Sequence, residues 1–144
     1  MSDITTTTDL PTRSAIEALQ SVISTMQQLE LTTTHHFADG MYLRTLFRPK
    51  DALVVGKVHK KEHFYMVVYG DVTVTSEGVR ERVTGPKVFV CQPGTKRAVY
   101  AHEDSLCLTV HRTDETDLDK LETDLVEEDT TAMFLPGNLL KALP

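Results

Sequence analysis

The stretch Gly56–His63 holds the residues best suited to chemistry in this chain. Its two histidines, His59 and His63, carry imidazoles, which ligate transition metals when neutral. Side chains alternate between the faces of a strand, so Lys57 and His59 are expected to point the same way. A cation beside the imidazoles disfavours a metal ion and suits an anion, through charge-assisted hydrogen bonds.

Other candidate chemistry has less support from the sequence. Cys91 and Cys107 lie in apolar runs and are expected to be reduced core residues. Ser105 has no companion pattern of a nucleophile, and no phosphate loop or zinc-finger spacing occurs. We interpret His111, at the end of the last predicted strand, as a cap for the acidic segment that follows.

The bulk composition narrows the class of protein. A chain of 144 residues suits one domain, and its net charge of -6 argues against a nucleic-acid partner. The sequence shows no secretory signal and no apolar run long enough for a bilayer. We therefore expect a cytoplasmic protein with neither a nucleic-acid nor a membrane partner.

The N-terminal part is expected to be a polar arm over 1–11 and an amphipathic helix over 12–30. Ser14 and Glu17 match a capping box, and an apolar stripe runs from Ile16 to Met26. The stripe favours a helix packed on the wall of the domain, with a self-association helix as the alternative.

Residues 31–112 read as eight to nine short strands separated by turn signals such as Asp39-Gly40. No helix is available for a parallel crossover, so the pattern predicts an all-β antiparallel jelly-roll barrel. In 113–144 an acidic helix carries Leu118, Leu121 and Leu125 on one face. The apolar tail after it must pack on its own barrel or on a neighbour.

Two motifs resemble those of the cupins, small double-stranded β-helix barrels that bind a metal between His and Glu side chains. In the first motif Lys57 stands at the first His position, His59 at the second, and His63 at the Glu position, with Gly70 closing it. In the second, Arg97 follows Pro93-Gly94 at the last His position. The metal motif is therefore degenerate.

The resemblance implies that Lys57, His59, His63 and Arg97 surround one pocket inside the barrel. A divalent transition metal would have His59 and His63 as its ligands and would need a third ligand that the sequence does not identify. The same four residues would instead bind a carboxylate or phosphate. A solvated pocket without a ligand is the third possibility.

A narrower resemblance covers Gly56 to Leu121 and is to small cupins of bacteriophages and prophages. It rests on the opening Gly56–His63, on Pro93–Tyr100, and on the run from Ala101 to Glu122. It implies a phage origin, with the bacterial host cytoplasm or the virion as location.

We expect a non-catalytic phage accessory or structural protein that self-associates, rather than an enzyme. The homo-oligomer, or contacts with other phage structural proteins, would use the arm Met1–Pro11 and the tail Ala132–Pro144. A metal-dependent oxygenase or isomerase and a binder of a small anionic ligand remain the alternatives.

Overall fold

The computed structural model describes residues 11–26 and 31–127, together with the backbone of 134–135 and 139–140. Its helices are α1 (Arg13–Ile23) and α2 (Leu118–Leu125). Its strands are β1 (Thr33–Ala38), β2 (Met41–Arg48), β3 (Leu53–Val55), β4 (His63–Tyr69), β5 (Asp71–Ser76), β6 (Val79–Thr84), β7 (Lys87–Cys91), β8 (Ala98–Ala101), β9 (Ser105–Arg112), β10 (Phe134–Leu135) and β11 (Leu139–Leu140).

Two antiparallel sheets make up the barrel. One has the order β1-β2-β9-β4-β7 and the other β3-β8-β5-β6, while β10 pairs with β11. The predicted turn at Asp39-Gly40 joins β1 to β2, and both residues have positive φ, 44° and 73°. Positive φ at both central residues is what a tight hairpin turn requires.

The core lies between the two sheets, because strand alternation gives each sheet one inward row of side chains. Tyr65 and Val67 of β4 meet Val72 and Val99 of the opposite sheet, and all four are buried. Cys91 and Cys107 are free thiols in or beside this core, as predicted. The all-β antiparallel barrel predicted from the strand pattern is confirmed.

Helix α1 begins one residue before the predicted capping box. Thr12 is its cap and accepts a hydrogen bond from the Ala15 backbone N–H at 3.1 Å, so Ser14 lies within the first turn. The helix ends at Ile23, earlier than predicted; 27–30 and the arm 1–10 lie outside the described residues. Ile16 and Ile23 pack on a cluster that includes residues of β3, which confirms a helix on the barrel wall.

Helix α2 lies on the opening of the barrel, as its leucine pattern predicts. Asp117 caps it by accepting hydrogen bonds from the backbone N–H groups of Asp119 and Lys120. Leu121 and Leu125 are buried against Tyr42 of β2. The side chains of the predicted apolar tail lie outside the described residues. Neither α1 nor α2 is long and apolar enough to span a membrane.

Candidate ligand site inside the barrel

A cavity of about 70 Å³ lies inside the barrel beneath α2. A water molecule needs about 10–15 Å³ of such volume, so the cavity has room for roughly five waters or for a ligand of similar size. Four cationic side chains line it, together with His59, Tyr65, Thr109 and Glu122; the cations are Arg44, Arg48, Lys57 and Arg97.

The segment that carries Lys57 and His59 is not a strand, contrary to prediction, because β3 ends at Val55. Backbone hydrogen bonds hold it beside the second motif instead. Gly56 donates to the Arg97 carbonyl at 2.9 Å, and Gly94 donates to the His59 carbonyl at 2.8 Å. Both predicted side chains still line the cavity, through this pairing rather than through strand alternation.

His63 and Arg97 form a direct buried pair. His63 Nδ1 donates to the Lys61 carbonyl at 3.0 Å, which leaves Nε2 as an acceptor for Arg97 Nη1 at 3.0 Å. The Arg97 guanidinium also donates to Cys91 Sγ at 3.3 Å and stacks over the Tyr65 ring at 4.4 Å. Both nitrogens of a neutral His63 are therefore occupied by protein groups.

His111 belongs to this site, and the prediction that it caps the acidic segment is wrong. Its ring centroid lies 5.4 Å from that of His59 and 4.8 Å from that of His63. It is buried on the inner face of β9, on the same side as Cys107 and Thr109. That period-two pattern was present in the sequence and would have placed His111 inside the barrel.

Arg44 and Arg48 are two further site residues that sequence reasoning missed. They alternate with outward residues on β2, so they share the inner face with Tyr42 and Leu46. Charges at core-facing positions of an otherwise apolar face were the available signal. Arg48 is only 6% exposed, and its Nε and Nη1 have no hydrogen-bond partner within the described structure.

Positive charge dominates the cavity. Among its lining residues Glu122 is the one carboxylate, and it pairs with Lys57 at 3.3 Å. The Tyr65 phenol beside Arg48 and Arg97 gives no counter-charge at neutral pH, since burial raises its pKa to about 12. The three arginines therefore have no anionic partner in the lining.

The three histidines are held neutral by this environment. Burial, followed by the Arg97 guanidinium, lowers the pKa of His63 to about 4. Burial and then Arg44 lower that of His111 to about 2, and burial with Arg97 takes the pKa of His59 well below its ordinary value. Both nitrogens of His59 are buried without a hydrogen-bond partner.

A resident transition metal, which the resemblance implies, does not fit these residues. His63 has no free nitrogen lone pair, and the Arg97 guanidinium occupies the place next to its Nε2. Within the described ranges no group of three His, Cys, Asp or Glu side chains has the geometry of a metal site. The metal role of His59 and His63 stays a prediction.

Helix α2 and the strand segment after it close the cavity. Lys60 Nζ donates to the Thr123 carbonyl at 2.7 Å, and Lys61 pairs with Asp124 at 3.2 Å. Val126 forms an isolated antiparallel bridge with His59. Glu122 and Val126 are themselves part of the cavity lining, so α2 and the residue after it form part of its wall.

Solved structures similar to this one are cupins. An RmlC-like cupin from Shewanella frigidimarina matches with a TM-score of 0.53 and 17% identity, over 61% of this chain and 80% of its own. The KdgF protein from a Halomonas species matches with a TM-score of 0.54 and 17% identity, over 62% and 86%. The DMSP lyase DddQ from Ruegeria pomeroyi matches with a TM-score of 0.53 and 16% identity, over 61% and 50%.

No protein-family model matches this chain, and no curated protein does. At these identities the structural likeness shows the fold and nothing about activity. The strand order, the buried inner faces and the neighbours together establish a cupin-type antiparallel barrel.

Proposed function

We propose that the barrel binds a small anionic ligand, a compound bearing a carboxylate or a phosphate. The observation that carries the proposal is Arg48, a buried guanidinium with two N–H donors that lack partners within the described structure. An uncompensated buried charge costs several kcal/mol, which an anion at this place would offset.

The surrounding groups suit the same guest. Arg44 and Arg97 supply two more guanidiniums, whose planar forks match the oxygens of carboxylate and phosphate. The Thr109 hydroxyl is buried without a partner and can donate a further hydrogen bond. The size of the cavity limits the ligand to a few non-hydrogen atoms unless α2 moves.

Thermal unfolding with simple anions tests this proposal. Acetate, oxalate and inorganic phosphate, added at constant ionic strength, are expected to raise the unfolding midpoint of the wild-type protein, since a ligand of the folded state stabilises it by mass action. Arg48→Gln is expected to abolish the response. Arg80→Gln, which removes the same charge from the exposed end of β6, is the matched control and should keep it.

The stability of the variant without added anion separates ligand binding from a general salt effect. Without added anion, Arg48→Gln should lose less stability relative to wild type than it does with anion present, since wild-type Arg48 then holds a buried charge without an anionic partner. Arg44→Gln serves if Arg48→Gln does not fold. Equal responses of wild type and both cavity variants would contradict the proposal.

We also propose a phage or prophage origin and a non-catalytic accessory role for this protein. The occupied nitrogens of His63 support a barrel that holds a ligand rather than one that activates it at a metal. Elemental analysis of protein purified without chelator tests this. Near one iron, manganese, nickel or zinc per chain, lost in His59→Ala, would favour a metal-dependent oxygenase or isomerase instead.

A further inference from the structure

The outer side of the five-stranded sheet is apolar, although the inner side already faces the core. Strand register places Phe64 opposite both Val90 and Val110, and Met66 opposite both Val88 and Leu108. These six side chains form two adjacent rows of three across β7, β4 and β9. We call this block the outer apolar face.

Three of the six side chains are exposed in the single chain, and Met66, Leu108 and Val110 are half-buried. Phe64 is 50% exposed, Val88 54% and Val90 59%. Helix α1 packs on the cluster that includes β3, and α2 on Tyr42, so both described helices lie elsewhere. An antiparallel sheet normally keeps one polar face when that face is in water, so apolar residues on both faces indicate a partner.

The outer apolar face has the size and charge of the centre of an interface. With strands about 4.8 Å apart and about 3.4 Å per residue, the three strands β9, β4 and β7 over about four positions span on the order of 200 Å² in projection. A standard interface buries about 800 Å² per partner, with an apolar centre and a polar rim. The six residues carry no charge, so two copies of the face meet without repulsion despite the net charge of -6.

We propose that a second copy of this chain packs on the outer apolar face, sheet against sheet, about a two-fold axis. A two-fold contact places the same patch against itself, which an uncharged and nearly flat patch allows. The modest area predicts a dimer that dissociates on dilution into the micromolar range. The contact lies within the barrel, away from the arm and tail through which the sequence suggested self-association.

Sedimentation velocity across protein concentrations tests the proposal. The full wild-type chain is expected to be a dimer at high concentration, and Val88→Lys with Val90→Lys a monomer at every concentration. Both valines are more than half exposed, so lysines there should leave the monomer folded. The matched control places two lysines at Val22 and Val79, which are 61% and 44% exposed on α1 and β6.

The control should dimerise like wild type, and circular dichroism should show both variants folded. If the variant with both Val88→Lys and Val90→Lys does not fold, the single variant Val90→Lys takes its place. The proposal would be overturned if the wild-type chain stays monomeric up to about 100 μM, a hundredfold above the expected range. It would also be overturned if the variant with Val88→Lys and Val90→Lys still forms the dimer.

Discussion

Three imidazoles packed against one another beside guanidinium groups are the most unusual feature at the residue scale. The rings of His59 and His63 lie 4.3 Å apart between centroids, and His111 stacks beside both. Burial disfavours the charged form of these rings, and repulsion from Arg44 and Arg97 adds to it, so the pKa values of all three histidines fall. The site is thus held as neutral imidazoles among fixed cations.

Acid should destabilise this protein through these histidines. An imidazole in the unfolded chain takes up a proton near pH 6.5, whereas folded His63 does so only near pH 4 and His111 near pH 2. Stability is therefore complete above pH 6.5 and falls as the pH drops, by about 1.4 kcal/mol per pH unit for each histidine.

His111→Phe should make this slope shallower by that amount between pH 6.5 and 4, as measured by urea unfolding at each pH. The replacement keeps an aromatic ring beside Tyr42 and removes the titrating group. His36→Phe, at an exposed position on β1, is the control and should keep the wild-type slope. A slope unchanged in His111→Phe would contradict a neutral buried His111.

At the scale of elements, α2 covers one side of the cavity. The helix is short, so we expect the burial of Leu121 and Leu125 to contribute most to holding it on the barrel. Its polar contacts, such as Lys57 with Glu122 and Lys60 with the Thr123 carbonyl, add to this. Ion pairs such as Lys61 with Asp124 lie near the surface and contribute little.

Leu121→Ala is expected to lower the free energy of unfolding by about 2–4 kcal/mol, because it leaves a cavity beneath the helix. Leu118→Ala, at a half-buried position one turn earlier, should cost less. The same pair should differ in hydrogen exchange at the Val126 amide, which bonds to the Glu122 carbonyl at the end of α2. Equal losses in the two variants would show that α2 is not held by its buried leucines.

At the scale of the whole molecule, the chain must pass from one sheet to the other without opening the barrel. Gly70 makes one such crossing, between β4 and β5, with φ of +105°. A Cβ there would lie 2.6 Å from the Ser105 Cα, closer than such atoms approach. The crossing therefore allows no side chain at this position.

Gly70→Ala should lower the free energy of unfolding by about 3 kcal/mol or more, through the clash and through the positive φ together. Gly78→Ala also stands at positive φ, +70°, but its Cβ would meet open space. It should cost only about 1–2 kcal/mol, the penalty of the backbone conformation. Chemical denaturation measures both, and similar losses would show that the contact with Ser105 is not decisive.

Much of the fold was predictable because its signals are local. Alternating apolar residues and turns such as Asp39-Gly40 predicted the strands, and the leucine spacing predicted α2. The start of α1 was predicted at the wrong residue, since Thr12 and Ser14 are both good caps and only packing chooses between them. β3 ends at Val55, although Gly56 continues its register opposite Arg97 and donates a hydrogen bond to the Arg97 carbonyl.

The sequence by itself determined the all-β antiparallel barrel through the periodicity of its strands, and the resemblance to the cupin motifs implied that Lys57, His59, His63 and Arg97 lie together. Only the tertiary structure added Arg44 and Arg48 to the cavity lining and placed His111 against the rings of His59 and His63. Their strands are distant in the chain, and burial depends on how sheets and α2 close over them. The unpaired guanidinium of Arg48 and the apolar outer face likewise exist only once the strands have taken their register.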